Sequence, residues 1–199
     1  MPPPTNKLEV QHLLGLAQYL AKFLPHLSHT TKPFKDLTQN DVQWVWNEPQ
    51  HMAFEKLKEM VTHTPVLYYY NLKEEVILRC DASQSGLGGT LMQNGQPVAY
   101  TSRALTLAET LYAQTEKELL AIVFACDCFN AYLHDRVLVN VETDHKPLAA
   151  IFMKSLASAP QRLLRMLLRL QKYNLKVKYK KGREMLLANT LSSTRGEPH

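Results

Sequence analysis

At 199 residues, 45% of them apolar and 21% charged, the chain has the make-up of a globular protein with room for one ordinary domain and a helical appendage, or for two small domains. No apolar run reaches the ~18 residues of a membrane-spanning helix, and the opening MPPPTNKLE is expected to be no secretory leader, so no membrane partner is expected. The net charge of +5 conceals an asymmetry: of 23 Lys and Arg, eleven lie between His145 and Arg183, a stretch without Asp or Glu, which leaves twelve bases against all 18 acids in the rest.

Taken in order, residues 7–24 place Leu8, Leu13, Leu14, Ala17, Leu20, Ala21 and Leu24 at helical spacing with Pro25 just beyond, which predicts one helix. Residues 26–40 are polar and turn-rich. VQWVWNEPQHMAFEKLKEMV predicts a short strand-like piece and then a helix, with Asn47 as N-cap, Pro49 in the first turn, and Trp44, Trp46 and Phe54 as core residues. After a loop through THTPVLYYYN comes VILRCD, a near-continuous apolar run that suits a strand covered on both faces and stops at Asp81. Ser83, Ser85, Gly86, Gly88 and Gly89 follow, the small residues of a tight turn or a close approach, and from this segment alone Asp81 is as readily a turn residue as a ligand. Strands over 87–93 and 97–102 flank Asn94-Gly95, a strong hairpin signal.

A long helix is expected over 107–133, with Leu111, Thr115, Leu119, Ile122, Cys126 and Phe129 on one face. The strand at 137–144 again ends on an aspartate, Asp144. Helices at 147–152 and 159–172, a strand at 175–179 and a last helix at 184–191 complete an α/β pattern: a mixed sheet with helices on its faces. Cys80, Cys126 and Cys128 lie inside predicted strand or helix without metal-type spacing to histidine, and read as buried, reduced thiols of an intracellular protein, cytoplasmic or nuclear.

Two strands that each end in an aspartate and are joined by a helical crossover are naturally parallel neighbours, which sets Asp81 beside Asp144 at the carboxyl end of the sheet. The intervening helix offers Glu116 and Glu118. Glu118, next to the buried face at Leu119, is the better placed, although either glutamate also suits a solvated face paired with Lys117. Clustered carboxylates repel unless cations neutralise them, and hard oxygen ligands suit Mg²⁺ or Mn²⁺. Two such ions ~3.5–4 Å apart serve phosphodiester cleavage. No P-loop and no dinucleotide-binding fingerprint competes with that chemistry. His145, directly after Asp144, is placed to assist proton transfer or to serve a structural turn.

RCDASQSGLGGTLMQ, PVAYTSRAL, TEKELLAIVFA, VETDHKPL and YKKGREMLLANTLS together resemble the ribonuclease H domain of gypsy-type LTR-retrotransposon reverse transcriptases. HLLGLAQYLAKFLPHLSHTTKPFKDL and VQWVWNEPQHMAFEKLKEMV are similar to the thumb and connecting region that precedes it, so the likeness runs over residues 6–192. It implies a ribonuclease H-like fold: a five-stranded mixed sheet, three antiparallel strands and then parallel ones, flanked by helices and preceded by a small helical segment. It divides the chain into a thumb/connection-like segment at 1–70, a ribonuclease H-like domain at 71–193 and a tail at 194–199. No polymerase motif is present, so the resemblance is to the C-terminal part of a reverse transcriptase. The implied activity is metal-dependent endonucleolytic hydrolysis of the RNA strand of RNA–DNA hybrids, and the implied partners are the hybrid and the polymerase domain of the same polyprotein or a second subunit. Residue by residue, the metal ligands become Asp81, Glu118 and Asp144. The fourth position departs from the family's A-D-x-L-S-R pattern, because Asn189 stands at the aspartate and Ser193 at the arginine. Asparagine offers a carbonyl oxygen without charge, so the resemblance implies weakened cleavage, or a catalytically inactive nucleic-acid-binding or assembly module.

For the substrate, Arg162, Arg165, Arg169 and Lys172 recur at helical spacing as one basic stripe opposite Leu163, Met166, Leu167 and Leu170. Lys176, Lys178 and Lys180 alternate along the last strand, with Lys181 and Arg183 in the turn. These form either a solvated face or a phosphate-binding platform whose affinity falls steeply with salt.

Overall fold

The computed structural model describes residues 2–25, 27–63, 67–152 and 159–181. Four helices come first: α1 (Lys7–Tyr19), α2 (Leu27–Thr30), α3 (Lys32–Leu37) and α4 (Glu48–Thr62). Asn6 caps α1 by accepting from the Glu9 N–H at 2.9 Å, and the helix ends in a 3₁₀ turn at Leu20–Lys22 instead of running on to residue 24. Residues 26–40 were expected to be turns. The polar composition hides Leu27, Phe34 and Leu37, which are buried and sit on α2 and α3. The expected strand-like piece before α4 carries no strand pairing. Its tryptophans are used for packing: Trp46 stacks on Phe34 at 5.9 Å and meets Phe54 edge-on at 6.1 Å. Val10, Leu13, Ala17, Leu24, Leu27, Phe34, Phe54 and Leu57 make this helical core.

The sheet follows: β1 (Val76–Ala82), β2 (Gly86–Gln93), β3 (Gln96–Ala104), then helices α5 (Leu107–Thr110), α6 (Gln114–Cys128) and α7 (Asn130–Leu133), β4 (Val139–Thr143), helices α8 (Lys146–Phe152) and α9 (Gln161–Leu170), and β5 (Leu175–Tyr179). Strand order is β3-β2-β1-β4-β5, with β1–β2 and β2–β3 antiparallel and β1–β4 and β4–β5 parallel. This is the five-stranded mixed sheet expected from the sequence. Asn94 and Gly95 both take positive φ, 50° and 75°, which a two-residue hairpin turn of matching twist requires.

The single helix expected over 107–133 is three. Glu116 turns back to accept from the Ala113 N–H at 3.0 Å and so starts a fresh helix there, while Leu111, assigned to the buried face, is 87% exposed. Cys128, expected to be buried, is exposed at the end of α6. α6 lies against β1, β2 and α9, and its seat is set by a glycine. A Cβ at Gly89 would stand 2.7 Å from the Ala125 Cβ, so only hydrogen lets the helix settle this close to the sheet. The predicted helix at 184–191 lies outside the described residues. Among the described residues no helix is long and apolar enough to cross a membrane.

Candidate active site

β1 and β4 pair in parallel with Leu78 opposite Val141 and Arg79 opposite Glu142. Val76, Leu78, Cys80, Val139, Val141 and Thr143 are buried. By strand alternation, Arg79, Asp81, Glu142 and Asp144 belong to the other face, with both aspartates at its carboxyl end. Asp144 is the first residue after β4, and Asp81 the last but one of β1. The third carboxylate, Glu118, comes from the first half of α6 and is only 4% exposed. One oxygen each of Asp81, Glu118 and Asp144 lie within 4.8 Å of one another.

Glu118 is held by a residue that sequence reading passed over. Gln114, one helical turn earlier, donates from Nε2 to Glu118 Oε1 at 2.6 Å and to the Ala82 carbonyl at 2.9 Å, tying the glutamate to the end of β1. The only signal for it in the sequence is the i, i+4 spacing. Glu118 Oε2 is buried and has no hydrogen-bond partner among the described residues. Burial, reinforced by repulsion from Asp81 and Asp144, raises the Glu118 carboxyl to about 7 against the opposing hydrogen bond from Gln114. A buried acceptor without a donor, in a nest of like charges, has the chemistry of a cation site. Opposite oxygens on one Mg²⁺ stand ~4.2 Å apart for ligand distances of ~2.1 Å. A spread of up to 4.8 Å therefore fits one ion after slight closure, or two ions that share carboxylates.

His145 faces the first turn of α6, where its Nε2 lies 2.9 Å from Thr115 Oγ1, and its N–H donates to Thr143 Oγ1 at 3.2 Å. These bonds tie the β4–α8 turn to the helix that carries Glu118. Asn189 and Arg183 lie outside the described residues.

The basic positions divide into two groups. Arg162 is ion-paired with Glu116 at 2.9 Å and covers the Tyr112 ring, Arg169 and Lys172 both face Asp127, and Lys180 pairs with Glu142 at 3.0 Å. Three of the four residues of the expected open stripe thus clasp acids of α6. Arg165, Lys178 and Lys181 are exposed, and no acidic partner is in ion-pair range among the described residues. Lys178 lies opposite Glu142 in the β4–β5 ladder and Lys180 donates its N–H to the Thr143 carbonyl, so these lysines flank the sheet end where Asp144 stands. A further ion pair, Arg79 Nε to Glu142 Oε2 at 2.8 Å, joins β1 to β4 one pleat below the two aspartates.

The family and the fold of the chain have counterparts among known proteins. Residues 46–140 match the family described as the RNase H-like domain found in reverse transcriptase. The chain is 35% identical over 192 residues to the retrovirus-related Pol polyprotein from transposon 297 of Drosophila melanogaster, covering 96% of itself and 18% of that polyprotein. It is 31% identical over 195 residues to the Tf2-3 transposon polyprotein of Schizosaccharomyces pombe, covering 95% of itself and 15% of that protein. It therefore spans less than a fifth of these relatives. In fold it is similar to a foamy viral protease-reverse transcriptase in complex with an RNA/DNA hybrid, with a TM-score of 0.74 at 20% identity over 91% of this chain and 26% of that one.

Proposed function

This chain belongs to the ribonuclease H-like domains of retroelement reverse transcriptases, and on that premise we propose that it hydrolyses the RNA strand of RNA–DNA hybrids as the C-terminal part of a longer reverse transcriptase. The observation that carries the reading is that one oxygen each of Asp81, Glu118 and Asp144 lie within 4.8 Å of one another, while Glu118 Oε2 is buried without a hydrogen-bond partner among the described residues. In this reading the three side chains hold two Mg²⁺ or Mn²⁺ ions, with Asn189 as a neutral fourth ligand. Bound divalent ions supply the charge that activates a water and stabilises the leaving oxygen.

The chain's own residues do the rest. Glu118 would hold a cation as its carboxylate, Gln114 keeps that carboxylate turned to the site, and His145 holds the Asp144 turn against α6. Arg165, Lys178 and Lys181 grip phosphates without reading bases, and Arg162, Arg169, Lys172, Lys180 and Arg183 form the wider basic surround. Selection for the hybrid rests on groove shape and the 2′-hydroxyl. We assign residues 1–70 to a thumb/connection-like segment, 71–193 to the nuclease domain and 194–199 to a tail. Beside the hybrid, the partner in this reading is the polymerase part of the same polyprotein or a second subunit, and three free thiols suit a cytoplasmic or nuclear setting.

Asn189 favours a second reading, a module that binds hybrid without cutting it. A lost carboxylate worth ~2 kcal/mol in the transition state slows cleavage about thirtyfold, so the nuclease reading expects slow cutting by the parent chain and faster cutting by Asn189→Asp. A hybrid-cleavage assay with Mg²⁺ and Mn²⁺ separates the two. An inert parent whose activity appears only in Asn189→Asp overturns the nuclease reading for the natural chain, and salt-dependent binding without cleavage in either supports the module.

A further inference from the structure

The N-terminal helices also reach the neighbourhood of Asp81. α2 lies against β2 and β3, with His29 Nε2 2.7 Å from Ser83 Oγ and the Ser28 N–H donating to Ser102 Oγ at 3.1 Å. Ser83 follows Asp81 by two residues and organises the β1–β2 turn. Its hydroxyl accepts from the Gly86 N–H at 3.0 Å and the Ser85 N–H at 3.3 Å, and its own N–H donates to the Gly86 carbonyl at 2.9 Å. The hydrogen of that hydroxyl reaches two acceptors, the Gly86 carbonyl at 3.2 Å and His29 Nε2 at 2.7 Å, and the closer contact is the one to His29. Ser102 lies in the same row of the sheet as Asp81, since Asp81 pairs with Gly88 and Gly88 with Ser102. α2 therefore holds the sheet at two points near Asp81, one two residues further along the chain and one two strands across.

The fit is close. A Cβ at Gly86 would meet Ser28 Oγ at 3.2 Å and the Arg103 carbonyl at 3.1 Å. His29, Ser83, Ser102 and Asp81 share a cleft of about 10 Å³, room for about one water molecule.

We propose that His29 is a positioning residue for the metal site: by holding Ser83 it fixes the turn that follows Asp81, so the N-terminal segment sets where that carboxylate stands. The site is then assembled from both helical segment and sheet, and the coupling rests on the reading of Asp81, Glu118 and Asp144 as ion ligands.

The test uses the full chain with His29→Ala and with His29→Gln, whose terminal amide reaches the place of Nε2 and offers an acceptor oxygen or a donor nitrogen there. Mn²⁺ affinity is measured by calorimetry, amide exchange at Ser85 and Gly86 by mass spectrometry or NMR, and stability by melting. His29→Ala is expected to bind Mn²⁺ about tenfold more weakly, as for groups that orient a ligand, and to exchange faster at Ser85 and Gly86. His29→Gln is expected to recover most of both. Affinity within twofold of the parent in His29→Ala overturns the coupling alone. Weakened binding in both variants that only follows a lower melting temperature assigns His29 to general stability and overturns it too. A parent that binds no Mn²⁺ overturns the ion-ligand reading and the coupling with it.

Discussion

Glu118 concentrates the electrostatics of the site, because it is the buried member of a carboxylate trio whose other two members are exposed. Its raised carboxyl, at about 7, has a consequence for stability. In the metal-free protein the folded state keeps a proton that the unfolded chain loses near 4.5, so this contribution is complete below pH 4.5 and is lost as pH rises through about 7. The loss amounts to at most about 3 kcal/mol. Chemical denaturation with a chelator present, at pH 5 and pH 8, is expected to show the decline in the parent and not in Glu118→Gln. Glu109 behaves oppositely: its hydrogen bonds from Arg103 hold its carboxyl down to about 2, so its smaller, solvent-screened contribution is present above pH 4.5 and fades as pH falls toward 2. That Asp81 and Asp144 lie side by side is legible in the sequence, since both end strands joined by a helical crossover, whereas Glu118 is singled out by the family resemblance, either helix glutamate also suiting a solvated face. Gln114 and His29 are not, because an ordinary helix glutamine and a histidine in a polar stretch gain meaning only from distances to Glu118 and Ser83.

At the scale of elements, the placement of α6 decides where Glu118 stands, and Gly89 against Ala125 decides the placement of α6. Gly89→Ala is expected to lower stability by about 1–3 kcal/mol through overpacking, and to weaken Mn²⁺ binding because the helix must lift. Denaturation and calorimetry on the same sample check both, and stability loss with unchanged affinity would separate helix seating from the site. The hairpin is legible because Asn94-Gly95 is a local signal, and the β1–β4 pairing because a helical crossover joins those strands, while the full strand order is implied by the family resemblance. The break before α6 is not, because hydrophobic periodicity continues through Leu111 while a single backward bond from Glu116 restarts the helix. α2 and α3 are missed for the opposite reason: they are short, and Leu27 and Phe34 are buried by residues distant in sequence, in one core with α1 and α4.

At the scale of the whole molecule, the basic third of the chain does not stand apart from the acidic body, because ion pairs to Glu116, Asp127 and Glu142 neutralise part of it from within. Composition reveals the asymmetry but not the pairing, which depends on α9 packing against α6. The cations left unpaired among the described residues are therefore expected to carry most of the salt-dependent affinity. Lys178→Ala and Lys181→Ala should each reduce the slope of log affinity against log salt for an RNA–DNA hybrid by about 0.7–0.9, and Arg169→Ala by much less; equal slopes for all three would contradict the division. The account stands most directly on a calorimetric titration of Mn²⁺ into the parent chain and Glu118→Gln at pH 6. It predicts binding by the parent with release of close to one proton, and binding at least about tenfold weaker without that release in the variant; indistinguishable titrations would contradict it.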